Sequence, residues 1–115
     1  LFHDGDAVIA DGVTVHRVGG HSRGLQAVLV RTNAGWLVLA SDASHYYENL
    51  FSRKPVPIVV DLQDLLDGFD TLLNLASRPE LIVPGHDPLV CEYFARGADE
   101  HVFRLDPGPI ADIPR

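Results

Sequence analysis

The sequence has a single cysteine, Cys91, and no methionine at its start. One cysteine excludes an internal disulfide and fits a reducing, cytoplasmic setting. Basic residues are scarce: nine Lys and Arg stand against sixteen Asp and Glu, for a net charge of −7. Arg53 and Lys54 are the one adjacent basic pair, so the clustered positive charge that nucleic acid and anionic membranes require is missing. No apolar run approaches the ~20 residues that span a bilayer. The opening "LFHDGDAVIADG" has no signal-peptide pattern, and its abrupt hydrophobic start is what a truncated chain is expected to show. Internal repeats, low-complexity tracts and obvious linkers are absent too.

What remains is ordinary for a globular domain. The chain has 115 residues, 46% hydrophobic and 22% charged, enough for one core without disulfide staples. Six histidines are many for this length, and are the compositional hint of metal or acid–base chemistry. "AVIADGVTVHRV" reads as two strands about an Asp11-Gly12 hairpin turn. Residues 25–32 and 36–41 read as two more strands flanking "NAG", apolar on both faces and therefore expected to be covered on both sides. Leu62, Leu65, Leu66, Phe69, Leu72, Leu73 and Ala76 recur at helical spacing, which predicts a helix over 61–76 with Asp61 as its N-cap. "ELIVPGHD" reads as a short buried strand ending in a Pro-Gly turn. A short helix over 88–96 and a proline-rich tail extended along the surface complete a mixed α/β or α+β layered domain.

Three polar residues share one local setting. His21 in "VGGHSRG", Asp42 after "WLVLAS" and His86 in "PGHD" each follow the C-terminal end of a strand, where layered folds collect functional side chains. If those strands are neighbours, the three converge at one edge of the sheet, and two imidazoles with a carboxylate make a good zinc ligand set. Each alone has a plainer reading. His21 can be a turn histidine bound to backbone, Asp42 a cap for a helix begun by "ASHYYENL", and His86 a surface-turn residue. His3, His16 and His101 stand apart in the chain. His16 falls mid-strand, where a satisfied histidine is the default, and Cys91 reads as a small buried hydrophobe. Glu48 and Asn49 are candidates to order the loop after Asp42.

In this order, "VGGHSRGLQAVLVRT", "LASDASHYYENL" and "LIVPGHDP" resemble the second half of the metallo-β-lactamase superfamily, and among its members the N-acyl-homoserine lactonase-like proteins. The resemblance implies half of a four-layer αβ/βα sandwich, a mixed sheet with flanking helices, residues 1–115 forming the C-terminal part of such a domain. It implies two zinc ions per complete site, or other divalent metals, with His21 on the first, Asp42 bridging and His86 on the second. It also implies a His-x-His-x-Asp-His motif that this sequence does not contain. In the lactonases a tyrosine stands three residues after the bridging Asp, where its hydroxyl polarises the lactone carbonyl. Here that position is His45, followed by Tyr46 and Tyr47. Either His45 serves as the catalytic donor, or the loop shifts by one residue and Tyr46 does.

The expectation is a zinc-dependent hydrolase of a small ester or lactone, acting through a metal-bridging hydroxide in its full-length form and inactive as this chain alone. The alternatives are a non-catalytic remnant and a thioester hydrolase of the glyoxalase II type. Half of a sandwich would also expose a sheet face and invite homodimerisation.

Overall fold

The Asp11-Gly12 turn joins β1 (Ala7–Ala10) to β2 (Val13–Arg17), and the antiparallel pairing continues through β3 (Gln26–Thr32) and β4 (Gly35–Ser41). This computed structural model describes residues 1–113. After β4 come a short helix α1 (Tyr47–Phe51) and a long helix α2 (Leu62–Leu75). A single 3₁₀ turn at Pro79–Leu81 then leads into β5 (Ile82–Pro84), which pairs parallel to β4. The sheet order is β1-β2-β3-β4-β5.

Alternate residues of the central strands feed two cores. Ala27, Leu29, Val38, Ala40 and Ile82 pack with Leu65, Phe69 and Leu72 of α2. This places α2 across one sheet face, as its leucine spacing requires. Asp61 caps it as expected: its carboxylate accepts the Asp64 backbone N–H at 2.9 Å. Leu62, counted in the buried stripe from sequence, is instead half exposed. On the opposite face Leu37, Leu81 and Val83 pack with Phe94.

β4 is covered on both sides over its centre and β5 along its length, but β2 and β3 are not, which corrects the expectation for residues 25–32. Val13 pairs with Val30 and Val15 with Val28. These four valines share the face opposite α2, are only half buried and join neither core. The helix expected over 88–96 shrinks to α3 (Val90–Tyr93). The backbone turns extended at Phe94, whose ring is buried to 1% exposure, and Ala95–Arg96 (β6) then pairs with Phe103–Arg104 (β7). Burying that ring outweighs another helical turn. The tail is anchored rather than merely laid along the surface. Asp106 accepts from the Asn33 backbone N–H and side-chain amide, and Ile113 is buried. No helix among the described residues is long and apolar enough to cross a membrane.

Candidate metal centre

Strand direction explains why distant residues meet. β3 runs opposite to β2 and β4, while β5 runs parallel to β4. The C-terminal ends of β2, β4 and β5 therefore lie on one edge of the sheet, and these are the ends that His21, Asp42 and His86 follow. β3 stands between β2 and β4, so the loop carrying His21 must fold across toward α2. Gly20 makes this possible. Its φ is +94°, and a Cβ there would lie 2.6 Å from the Leu65 Cα. Its carbonyl accepts from the Val60 and Asp61 N–H groups at 2.8 and 3.0 Å, fixing the turn to the start of α2.

A carbonyl can only accept, so the 2.9 Å contact between His21 Nδ1 and the Ile58 oxygen puts a proton on Nδ1. In the neutral ring this leaves Nε2 with a free lone pair, 3.5 Å from Asp42 Oδ2. On the other carboxylate oxygen, His86 Nε2 donates to Asp42 Oδ1 at 2.6 Å. His45 Nε2 lies 3.4 Å from the same Oδ1 without hydrogen-bond geometry, and it is buried with no hydrogen-bond partner. Asp42 is thus ringed by three imidazoles, one at Oδ2 and two at Oδ1. The hydrogen bond from His86, aided by the charge of the three rings, holds its carboxyl below the usual range. Burial, and then the neighbouring His86, lowers the pKa of His45, favouring the neutral ring that a metal requires.

The loops beneath are stitched together. Gly85 N–H donates to the Ser44 carbonyl and His86 N–H to the His45 carbonyl, both at 2.9 Å. A Cβ at residue 85 would fall 2.5 Å from the Ser41 carbonyl oxygen, so this approach requires glycine. Asp87 accepts from the Tyr47 N–H, at the start of α1, and from the Leu89 N–H, both at 3.0 Å. Asn49 accepts from the Tyr46 N–H and donates to the Lys54 carbonyl, which is the ordering role expected of it. Glu48 instead pairs with Lys54.

Asp42, His45 and His86 each offer a ligand atom, all within 4.8 Å of one another. The fold therefore brings His21, Asp42, His45 and His86 together, whereas Tyr46 is 47% exposed with its ring 6.4 Å from that of His45. Beside them lies a cleft of about 560 Å³ lined by Tyr46, Tyr47, Phe51, Asp87, Leu89 and Tyr93 among others. His16 is satisfied elsewhere, by Thr14 and Asp6, and His101 approaches Glu100. Cys91 is exposed rather than buried, because α3 turns that side outward. His45, expected as a donor to substrate in alternative to Tyr46, lies among the ligand atoms, a place for which its i, i+3 spacing from Asp42 was the available signal. The contacts of the Ile58 carbonyl and of Asp87 depend on chain segments distant in sequence and had no such signal.

No protein-family model matches the chain, and no curated protein matches it. Solved structures do. An N-acyl homoserine lactone hydrolase with the product N-hexanoyl-L-homoserine bound at its catalytic metal centre aligns with a TM-score of 0.66 and 27% identity, over 78% of this chain and 36% of that one. A B. thuringiensis protein with N-decanoyl-L-homoserine bound at its active site gives the same values. A quorum-quenching N-acyl homoserine lactone lactonase aligns at 0.63 and 28% identity, over 75% of this chain and 36% of that one. The mixed sheet with flanking helices is thus part of the lactone-hydrolase fold, as the three motifs implied. The chain spans about a third of the length of these structures.

Proposed function

We propose that this chain carries part of the metal centre of a lactone- or ester-cleaving hydrolase with the metallo-β-lactamase fold. The observation that supports it most is the division of the Asp42 carboxylate, with His21 at one oxygen and His86 at the other, as a bridging ligand requires. The donors suit zinc: a carboxylate, imidazoles, and a buried Nε2 on His45 that no hydrogen bond satisfies. In the complete two-metal site His21 would serve one metal, His86 the other and Asp42 both, and the bound metals would supply Lewis acidity and an acidified water at neutral pH.

The protein's own residues prepare that chemistry. Ile58 fixes the His21 tautomer and Asp87 ties the His86 turn to α1, the kind of support that orients ligands. Tyr46, exposed at the mouth of the cleft, is the group we assign to polarise the substrate carbonyl. The aromatic cleft beside it suits the apolar part of a small lactone or ester. The absent His-x-His-x-Asp-His motif leaves this chain with too few ligands for a complete two-metal site, so metal binding without turnover is the expected behaviour of these 115 residues. The residues 1–115 then act as the C-terminal part of the domain, in the cytoplasm, where a single free cysteine stays reduced. The half-buried valine face supports self-association of the isolated chain.

The test is zinc titration by calorimetry, followed by lactone hydrolysis. The protein is expected to bind zinc, and Asp42→Asn to weaken binding by on the order of 100-fold or more, given that even an outer-shell change costs 10–100-fold. An unchanged affinity in that variant overturns the site. Hydrolysis of an N-acyl homoserine lactone against a glutathione thioester, by a form that includes the missing motif, separates the lactonase from the thioesterase reading.

A further inference from the structure

We propose that His45 is itself a metal ligand, and that Asp42 Oδ1, His45 and His86 bind one divalent ion of the zinc type without help from His21. The inference rests on the metal-centre reading above and assigns a role to His45, which that reading leaves unused. Its basis is an asymmetry around Asp42. One side of the carboxylate has two imidazole nitrogens, from His45 and His86, and the other has only that of His21. The three donor atoms on the richer side lie within 4.8 Å of one another.

Between His45 and Asp42 the spacing is that of ligands rather than of hydrogen-bond partners. Bonds of ~2.0–2.1 Å at tetrahedral angles set ligand atoms about 3.3 Å apart, and His45 Nε2 lies 3.4 Å from Oδ1. The 2.6 Å contact of His86 is shorter because a proton occupies it. His86 can open that distance when a metal replaces the proton, because its side chain is 55% exposed. His45 has no such freedom. Its Nε2 is buried and unpartnered, and its carbonyl is fixed by the His86 N–H. A ring nitrogen held rigidly beside a carboxylate and a second imidazole, with no hydrogen bond to lose, is spare coordination capacity. Three protein ligands leave a fourth position open. His21, committed to Ile58 through Nδ1, faces the opposite oxygen and contributes only a two-donor set.

Cobalt(II) and zinc titrations of the protein test this, with stoichiometry read by native mass spectrometry and coordination by the visible cobalt bands. One ion per chain is expected. His45→Gln should weaken binding more than about 100-fold, beyond the 10–100-fold range of an outer-shell partner, and at least about 10-fold more than His21→Gln does. Circular dichroism shows whether each variant is folded. If His45→Gln fails to fold, zinc-induced shifts of the His45 ring nitrogens in the unmodified protein, read by long-range ¹H–¹⁵N correlation, give the same answer. Parent-like affinity in folded His45→Gln, an unshifted His45 ring, or equal losses from His21→Gln and His45→Gln overturn the proposal. If Asp42→Asn loses binding while His45→Gln keeps it, the metal centre stands without His45 as ligand. No binding by the parent protein overturns both.

Discussion

Tyr46 and Tyr47 are adjacent and chemically identical, yet the fold gives them opposite roles. Tyr46 is exposed at the cleft, whereas Tyr47 is 4% exposed and its hydroxyl is buried without a partner. Burial, with the Asp87 carboxylate nearby, raises the Tyr47 pKa far above the usual phenol value, so it stays protonated near neutral pH. An unsatisfied buried hydroxyl is a cost of about 1–3 kcal/mol. Tyr47→Phe keeps the ring contacts with Phe51 and Tyr93 and removes that cost. Thermal unfolding is therefore expected to move up by a few degrees, and a fall of similar size would mean that the hydroxyl has a partner. His45 belongs to the same scale: its place beside Asp42 follows from position i+3 in a turn, where two side chains can face one another.

Elements decide whether these residues meet. The Asp61 cap anchors α2, and Gly20 donates no side chain but lends its carbonyl to the same helix start. Asp61→Ala is expected to destabilise the protein by about 1 kcal/mol, which equilibrium unfolding in urea would read as a lower midpoint at unchanged slope. Gly85 has a sharper role. Alanine there drives a methyl into the Ser41 carbonyl, and overpacking of this kind costs about 1–3 kcal/mol. Because Gly85 precedes His86, Gly85→Ala should also weaken zinc binding as the loop lifts from β4. Calorimetry showing parent-like zinc affinity in that variant would mean the loop tolerates the methyl without moving His86.

At the scale of the molecule, the sheet is finished on one face and open on part of the other. α2 covers the side of Ala27, Leu29 and Val38. Opposite it, Phe94 and its neighbours close over β4 and β5 but leave Val13, Val15, Val28 and Val30 half buried. Such an apolar strip on a sheet favours association. Sedimentation velocity is expected to show concentration-dependent dimers or larger species, and Val15→Lys to shift the protein toward monomer. A monomer at all concentrations would show that the strip is tolerated in water.

The strands, the α2 helix and its cap were legible in the sequence because they depend on local periodicity and on turn residues such as Asp11-Gly12 and Asp61. His21, Asp42 and His86 were legible as a group because each follows a strand, and the motifs around them resemble those of the lactonases. The uncovered valines, the early end of α3 and the burial of Tyr47 were not legible. Each depends on which surface lies opposite, and alternating apolar residues look the same in sequence whether a partner layer is present or not. The candidate ligands and the segments that carry them follow from residue type and local pattern alone. The common direction of β2, β4 and β5, the place of His45 beside the donors, and the turn of one Asp42 oxygen to each side come from the folded chain. Those outcomes depend on strand pairing and loop closure between residues up to 44 positions apart, distances over which local propensity carries no information.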